Sequence, residues 1–244
     1  MWGIIPAAGH GTRIQPLAFS KELLPVGARS DGEADRPRAV SEYLLERMVV
    51  AGADKVCFVI SPWKSDIVRY YGGNYGRAHL AYAVQSDANG LCDAIFRALP
   101  FIARDEPVII GLPDTIWFPD DALRCLPDDR LSFLLFPVDH PELFDAVVTD
   151  EQGRVRAIEV KARHPQSRWI WGAFKMPGAT LGALHALWRE RGRKDEYIGT
   201  LIMAWLQGGG EAWGVRAGTS YVDVGTLNGY REAMRLLVMK ETHA

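Results

Sequence analysis

Residues 5–26 read IPAAGHGTRIQPLAFSKELLPV, an apolar strand start that runs into a loop with two glycines. A glycine-rich turn directly after a first strand lets backbone N–H groups point into a concave site, because no side chain blocks the approach. Gly9 and Gly11 are expected to form that turn. The same loop carries three side-chain donors suited to a polyphosphate: Thr12, Arg13 and Lys21. The stretch therefore predicts a loop that binds a nucleoside triphosphate.

Two better-known glycine loops do not fit this stretch. The dinucleotide fingerprint G-x-G-x-x-G would need glycine where this chain has Ile14, and the loop continues through Pro16 instead of opening a helix. The Walker loop needs lysine after its second glycine, whereas Gly11 is followed by Thr12 and Arg13. An NAD-dependent oxidoreductase is therefore disfavoured.

Outward from this loop, short apolar runs alternate with longer amphipathic ones through about residue 112. The predicted strands of this part are WGIIPA, KVCFVIS, HLAYAV and PVIIGL, with helices between them. This alternation is typical of βαβ units, and the second half reads as strands followed by helices. We predict a single α/β domain with a Rossmann-like, mostly parallel mixed sheet flanked by helices. The polar stretch 27–38 is predicted to be an exposed excursion.

Composition restricts the class of partner. The 244 residues carry a net charge of -2, which provides no basic field for nucleic acid, so small molecules are the expected partners. The N-terminus lacks a basic and apolar leader pattern, and no run approaches the roughly 20 apolar residues of a membrane span. The three cysteines are not in C-x-x-C spacing, which predicts neither a disulfide framework nor a zinc site. A cytoplasmic location is expected, and a homo-oligomer is left open.

The opening motif resembles a known family signature. GHGTRIQPLAFSKELLPV is similar to the G-x-G-T-R-x-x-P-x-T and P-K-x-L-L-P-V segments of the sugar-1-phosphate nucleotidylyltransferases. It departs from these segments at Phe19 and Ser20. The stretch IPAAG resembles the uridylyltransferase branch of the family more than the thymidylyltransferase branch. The resemblance implies a GT-A-like nucleotidyltransferase fold, with a nucleotide-binding half at 1–115 and a sugar-phosphate-binding half at 116–244.

The resemblance also assigns nucleotide-binding and catalytic residues. It implies that the nucleotide is held by Ala8, Gly9, Gly11, Thr12, Gln85 and Gly90. Two acidic motifs, GLPDTIW and YVDVGT, are similar to the family's metal-binding segments and place Asp114 and Asp223 as ligands of Mg²⁺, a hard ion that prefers oxygen. Arg13 and Lys21 would neutralise the phosphates.

The acceptor segment VRAIEVKARHPQSRWIWGAF resembles the family's sugar-binding strand pair. It implies Glu159, Lys161 and Gly172 as sugar-phosphate contacts. The family's adjacent Glu-Lys-Pro is altered to Glu-Val-Lys-Ala here, so on a strand the glutamate and lysine would share a face. Together with Arg168 in place of the usual asparagine-rich approach, this leaves room for an unusual sugar phosphate.

The implied function is Mg²⁺-dependent transfer of a nucleotidyl group from a pyrimidine nucleoside triphosphate, dTTP or UTP, to a sugar 1-phosphate. Two alternatives stay open. The acceptor could be a non-sugar phosphate or phosphonate, or the chain could be a catalytically inactive regulatory or binding member of the family. The joint presence of Arg13, Lys21, Asp114 and Asp223 speaks against the inactive alternative.

Overall fold

The computed structural model describes residues 1–30 and 32–241. Its fourteen strands are β1 Trp2–Pro6, β2 Pro25–Ser30, β3 Asp35–Ala39, β4 Lys55–Ile60, β5 Asn74–Tyr75, β6 Ala78–Val84, β7 Pro107–Gly111, β8 Thr115–Phe118, β9 Ser132–Pro137, β10 Asp145–Thr149, β11 Val155–Val160, β12 Trp169–Pro177, β13 Trp213–Val215 and β14 Ser220–Asp223. Its six α-helices are α1 Val40–Val50, α2 Ser65–Tyr71, α3 Gly90–Arg97, α4 Gly178–Glu190, α5 Ile198–Gln207 and α6 Leu227–Glu241. Among these described helices, none is long and apolar enough to cross a membrane.

A central sheet contains ten of the strands. Its main path runs β11-β10-β12-β7-β1-β4-β6-β5, and β9 joins β12 to β13. The ladders among β7, β1, β4 and β6 are parallel, whereas the ladders of β12 are antiparallel. The predicted mixed α/β sheet is confirmed, although its parallel share is smaller than expected, because the strands of the second half follow one another with few helical crossovers.

The helices cover both faces of this sheet. Ile4 of β1 packs in a core with residues of α3, α4 and α5, while its neighbour Ile5 packs in a second core with α1 and α2. This alternation follows from the two-residue period of a strand buried on both faces. A third, smaller core joins α6 to β2, β8 and β14.

The parallel strands determine where a site can form. β1, β4, β6 and β7 all end at the same edge, so the segments that follow them, residues 7–20, 61–64, 85–89 and 112–114, lie near one another. The crevice outside the carboxyl ends of such strands is where open α/β sheets bind ligands. The first loop and the aspartate motif are brought together in this way.

The excursion predicted at 27–38 contains two paired strands, with a register shift between Pro25 and Ala28. β2 and β3 pair antiparallel, with Arg29 opposite Arg36, and most of their side chains are exposed as expected. Asp31 lies outside the described residues. The predicted exposure is confirmed, but the strand pairing was not predicted, because strands that are polar on both faces give no alternation to detect.

A separate two-stranded ladder carries the two acidic motifs. β8 and β14 pair antiparallel with Thr115 opposite Asp223, and the backbone N–H of Val224 donates to the carbonyl of Asp114 at 2.8 Å. Two chain segments about a hundred residues apart are thereby placed side by side by main-chain hydrogen bonds.

Candidate active site

A cleft of ≈ 500 Å³ opens at the carboxyl edge of the parallel strands. Eight of the residues that the sequence assigned to a site line it, and these are Ala8, Gly9, Arg13, Lys21, Gln85, Gly90, Asp114 and Lys161. Five others, Gly11, Thr12, Glu159, Gly172 and Asp223, do not form its wall. The cleft therefore brings together residues from both predicted halves of the chain.

Four charged side chains form two cation–carboxylate contacts, and three of them, all but Asp223, line the cleft. Lys21 Nζ lies 2.5 Å from Asp114 Oδ2, and Arg13 Nη2 lies 3.1 Å from Asp223 Oδ2. A Cβ built on Gly225 would lie 2.8 Å from Asp223 Oδ1, 3.0 Å from Arg13 Nη2 and 3.3 Å from Asp114 Oδ2. Both predicted metal ligands and both predicted phosphate cations thus surround one small region, which only a residue without a side chain leaves open.

The Lys21–Asp114 pair is held in its charged form. Burial penalises the charge of both groups, but the opposite charge at 2.5 Å outweighs it, so the pKa of Lys21 is raised and the pKa of Asp114 is lowered. The cleft therefore carries an ionised Lys21–Asp114 pair before any ligand enters.

A buried ion pair lies beneath the glycine loop. Lys64 Nζ donates to Ala7 O and to Gly9 O, each at 2.7 Å, and to both carboxylate oxygens of Glu22 at 2.7 and 2.8 Å. Glu22 is fully buried and Lys64 is 9% exposed. Burial raises the pKa of Glu22 and lowers the pKa of Lys64, with each partner opposing the shift of the other. One ammonium group thus holds two loop carbonyls.

This ammonium sets the direction of the loop amides. In a trans peptide the C=O of one residue and the N–H of the next point in opposite directions. With Ala7 O and Gly9 O turned toward Lys64, the amides of Ala8 and His10 face away from it, and both of these residues line the cleft. Among the described residues, neither amide donates to a protein acceptor. The predicted phosphate-binding turn therefore has free N–H groups in the right place.

The other end of the loop has its own anchor. Asp66, in the first turn of α2, accepts hydrogen bonds from Ser20 N at 2.7 Å and Ser20 Oγ at 2.6 Å. Gly11 has φ +65°, and a Cβ there would lie 2.6 Å from Lys21 Cδ, so this glycine makes room for the lysine stem. Thr12 is exposed. Gly11 thus positions Lys21, a different role from the predicted contact with the nucleotide.

Gln85 is buried at the end of β6 and is only 4% exposed. Its Nε2 donates to Gly90 O at 3.1 Å and to Asp93 Oδ2 at 2.8 Å. Both acceptors lack hydrogens, which fixes the orientation of the amide, and only Oε1 is left for a ligand. In this conformation Gln85 can therefore offer a base an acceptor but not its amide donor.

Gly90 is required by a crossing chain. Its φ is +86°, and a Cβ would lie 2.8 Å from Glu196 Cα, while Glu196 O accepts from Leu91 N at 2.8 Å and from Cys92 N at 3.4 Å. The carbonyl of Glu196 thus caps the N-terminus of α3. No pattern in the sequence indicates this crossing. Glu196 and Tyr197 form part of the cleft wall.

The acceptor end of the cleft differs most from expectation. β11 ends at Val160, and Lys161 has φ +49°, so strand alternation does not continue to Lys161. The prediction that Glu159 and Lys161 share a face of a strand is therefore wrong. Glu159 Oε2 accepts from Gln166 N at 2.8 Å, and Lys161 Nζ donates to Leu143 O at 2.7 Å. Of the two, only Lys161 lines the cleft.

Gly172 acts at the acceptor end through packing. A Cβ there would lie 2.5 Å from a ring carbon of Phe136 and 2.9 Å from a ring carbon of Tyr221. The glycine thus leaves space for Tyr221, which lines the cleft together with Phe144, Asp145 and Trp171. Sequence reasoning missed Phe144, Asp145 and Tyr221.

The donor set fits a magnesium ion shared with a ligand. Among the described residues there is no group of three or more His, Cys, Asp or Glu side chains that could hold a metal by themselves. Asp114 and Asp223 nevertheless face one region beside Gly225. Mg²⁺ is commonly bound through one or two carboxylates together with substrate phosphates, so two hard oxygen donors at a polyphosphate cleft suit it.

Comparison with known proteins decides the family. The family described as "Nucleotidyl transferase" matches residues 2–239. The chain belongs to the nucleotidyl transferase family. The match covers both the glycine loop and the Asp223 motif, and the predicted resemblance to sugar-1-phosphate nucleotidylyltransferases is confirmed.

Individual relatives agree with this assignment. The chain is 27% identical to a glucose-1-phosphate thymidylyltransferase of Mycolicibacterium smegmatis, over 96% of this chain and 81% of the relative. It is 26% identical to the UTP–glucose-1-phosphate uridylyltransferase AglF of Haloferax volcanii, over 100% of this chain and 99% of the relative. A solved structure of a putative glucose-1-phosphate thymidylyltransferase from Bacillus anthracis, in complex with a sucrose, superimposes with a TM-score of 0.80 at 22% identity, covering 96% of this chain and 94% of that one. The UTP-bound UGPase from Acinetobacter baumannii gives 0.76 at 20% identity, covering 97% and 92%. These two structures share the fold.

Proposed function

We propose that this nucleotidyl transferase moves a nucleotidyl group from a pyrimidine nucleoside triphosphate to a sugar 1-phosphate and releases pyrophosphate, with Mg²⁺ as its cofactor. The observation that carries the proposal is the pair of cation–carboxylate contacts at the centre of the cleft, Lys21 with Asp114 and Arg13 with Asp223. The two relatives are named for thymidylyl and uridylyl transfer to glucose 1-phosphate.

The reaction needs positioning and charge neutralisation more than proton transfer. A phosphate oxygen of the acceptor attacks the α-phosphorus in line, a new P–O bond forms, and the bond to the β-phosphate breaks. Both substrates are polyanions and repel each other, so cations and amides that hold them lower the barrier. Arg13 and the amides of Ala8 and His10 would bind the departing pyrophosphate, and Lys21 would bind the reacting phosphates.

Asp114 and Asp223 would hold the magnesium ion. When bound, Mg²⁺ supplies positive charge at the phosphate oxygens and orients them. In the unliganded cleft, the ammonium of Lys21 and the guanidinium of Arg13 provide that charge instead. The side chains can exchange these partners when phosphates arrive, because phosphate oxygens are equally good acceptors for both cations.

Base selection is proposed to depend on Gln85 and the backbone beside Gly90. Gln85 Oε1 can accept from the N3–H of uracil or thymine, an imide proton that adenine lacks and that guanine presents on a larger ring system. UTP and dTTP differ by one methyl and one hydroxyl, and a methyl contact is worth only about 1 kcal/mol. We expect both to be used, with thymidylyl transfer slightly favoured, because AYAVQ in the base-binding segment resembles that branch, whereas IPAAG resembles the uridylyltransferases.

The test is pyrophosphate release from each nucleoside triphosphate with a panel of phosphorylated acceptors. Asp114→Asn and Asp223→Asn should each lower turnover by orders of magnitude with the fold retained, because the isostere removes charge and little volume. Asp129→Asn, an exposed carboxylate paired with Arg130, is the matched control. Near-normal turnover in either active-site variant would contradict the metal assignment.

Other results of the same panel would point to the alternatives. Suppose that pyrophosphate is released with a phosphonate or a non-sugar phosphate but with none of the sugar phosphates tested. Nucleotidyl transfer would then stand, and the assignment of a sugar 1-phosphate as acceptor would be overturned. Nucleotide binding without any release would favour an inactive regulatory or binding role. A clear preference for ATP or GTP would overturn the base assignment and leave the reaction class standing.

A further inference from the structure

Asp145 lies at the acceptor end of the cleft, where no cationic side chain among the described residues forms an ion pair with it. It is the first residue of β10, directly opposite Val160 in the ladder with β11, and it lines the cleft beside Phe144, Trp171 and Tyr221. The proposed reaction gives it no role, because the phosphates and the metal are held near Lys21 and Asp114. Its position places it against the organic part of the acceptor.

The carboxylate of Asp145 lacks compensation. Its Oδ1 is buried and accepts no hydrogen bond, and the nearby Trp171 Nε1 is likewise buried without an acceptor. Among residues 1–30 and 32–241, no cation forms an ion pair with Asp145. Burial raises the pKa of Asp145, and the charge of Lys161, the backbone N–H of Lys161 and the indole of Trp171 oppose this only in part. Buried charges in proteins are ordinarily paired, so a carboxylate left without a counter-ion in a ligand cleft indicates that the ligand brings one.

Two groups of the protein could have served as that partner. Lys161 Nζ donates to Leu143 O at 2.7 Å and lies over the ring of Phe144 at 6.0 Å. The first turn of α5 also lies close, since a Cβ on Gly199 would be 3.5 Å from Asp145 Oδ2. A helix N-terminus attracts a carboxylate, but its partial charge is about half of an elementary charge. Neither group neutralises Asp145.

We propose that the acceptor is a sugar 1-phosphate that carries a protonated amino group, and that Asp145 binds this ammonium. The proposal rests on the proposed function and deepens it. A neutral hydroxyl would donate one hydrogen bond and leave the buried charge uncompensated, whereas an ammonium supplies both a donor and the opposite charge. The aromatic rings of Phe144, Trp171 and Tyr221 around it also suit a partly desolvated cation. The acceptor then has its phosphate at Lys21 and its ammonium at Asp145.

The experiment compares three acceptors that differ at one substituent. Glucosamine 1-phosphate carries the ammonium, N-acetylglucosamine 1-phosphate carries a neutral amide at the same carbon, and glucose 1-phosphate carries a hydroxyl. With wild-type protein and UTP or dTTP, we expect kcat/KM for glucosamine 1-phosphate to exceed that for the other two by about 10-fold or more, mainly through KM. This comparison needs no variant and so does not depend on any variant folding.

Asp145→Asn then tests the residue. The isostere should lower the preference for glucosamine 1-phosphate over glucose 1-phosphate to about 2-fold or less. Asp139→Asn, whose side chain is 92% exposed, is the matched control and should keep the wild-type ratio. If Asp145 instead only stabilised α5, Asp145→Asn would lower the melting temperature and reduce activity equally with all three acceptors. That result would overturn the proposal.

The outcomes separate the two proposals. Equal use of the three sugar phosphates by wild type overturns the ammonium proposal and leaves sugar-phosphate transfer standing. Turnover of phosphoethanolamine or phosphocholine but of no sugar phosphate overturns both, as does the absence of pyrophosphate release with every acceptor. Isothermal titration of the same three sugar phosphates with nucleotide present should show the same ranking in Kd, which provides a readout that does not depend on turnover.

Discussion

Replacing Lys64 with methionine would remove the ammonium beneath the glycine loop and keep most of the side-chain length. Glu22, which is fully buried, would then lack its cation, and Ala7 O and Gly9 O would lack their donor. Breaking a buried ion pair by removing one partner typically costs about 3–5 kcal/mol. We expect Lys64→Met to lose stability in this range, and the loss to shrink at acidic pH as the stranded carboxylate takes up a proton.

The assay combines urea unfolding at several pH values with pyrophosphate release. Lys55→Met is the matched control, because Lys55 pairs with Glu106 at a partly exposed site, where an ion pair contributes only about 0–1 kcal/mol. The double variant Lys64→Met with Glu22→Met should recover most of the stability, since no buried charge remains. It should stay low in kcat/KM, because the two loop carbonyls still lack their donor and the amides opposite them lose their direction.

The double variant is also the result that can refute this reasoning. If it regained activity in step with stability, Lys64 would only balance the charge of Glu22 and would not position the loop. A loss in Lys64→Met below about 1 kcal/mol, similar to that of an exposed pair, would mean that Glu22 reaches water when the lysine is removed.

Two further outcomes follow from burial and charge. Burial raises the pKa of Asp66, but the hydrogen bonds from Ser20 outweigh burial and hold the pKa below its usual value, so the stabilisation is present above the unfolded pKa of about 3.9 and is lost as pH falls through the folded pKa. Asp66→Asn should therefore lower the free energy of unfolding by about 1–2 kcal/mol at pH 7. Thermal melts in which the difference between wild type and Asp66→Asn does not become smaller below about pH 4 would contradict this. Burial raises the pKa of Cys57 and of Cys92 to about 12, while Cys125 is exposed, so a thiol reagent at pH 8 should react with one cysteine in the native protein and with three in urea. Rapid reaction of more than one thiol in the native protein would contradict this.

Much of the parallel half could be predicted from the sequence. Three of its strands, β1, β4 and β7, are buried apolar runs of five or six residues, and β6 is a half-buried run of seven. Such patterns depend little on distant residues. Once these strands are parallel, the segments after them must meet at one edge, so the meeting of the glycine loop, Gln85 and Asp114 follows from topology. The predicted cytoplasmic location and the 1–115 and 116–244 halves stay predictions.

The missed features depend on contacts between distant residues. A lysine shortly after a strand normally indicates a solvated charge, and nothing near Lys64 in the chain indicates that Glu22, 42 residues away, is buried against it. The donor capacity of Gln85 is taken up by Gly90 and Asp93, which depends on side-chain orientation. Likewise, Asp145 becomes unusual only because the fold buries it beside apolar and aromatic groups.

The β8–β14 ladder has a consequence for the divergence of this enzyme over time. Thr115 lies opposite Asp223, and Val224 N donates to Asp114 O, so backbone geometry sets the distance between the two carboxylates. Main-chain hydrogen bonds are the same for every residue except proline, so lineages can exchange most side chains along these strands and still inherit that distance. If the wall around Asp145 selects the acceptor as proposed, mutations that alter the acceptor can accumulate there while the spacing of the two aspartates passes unchanged from one specificity to the next.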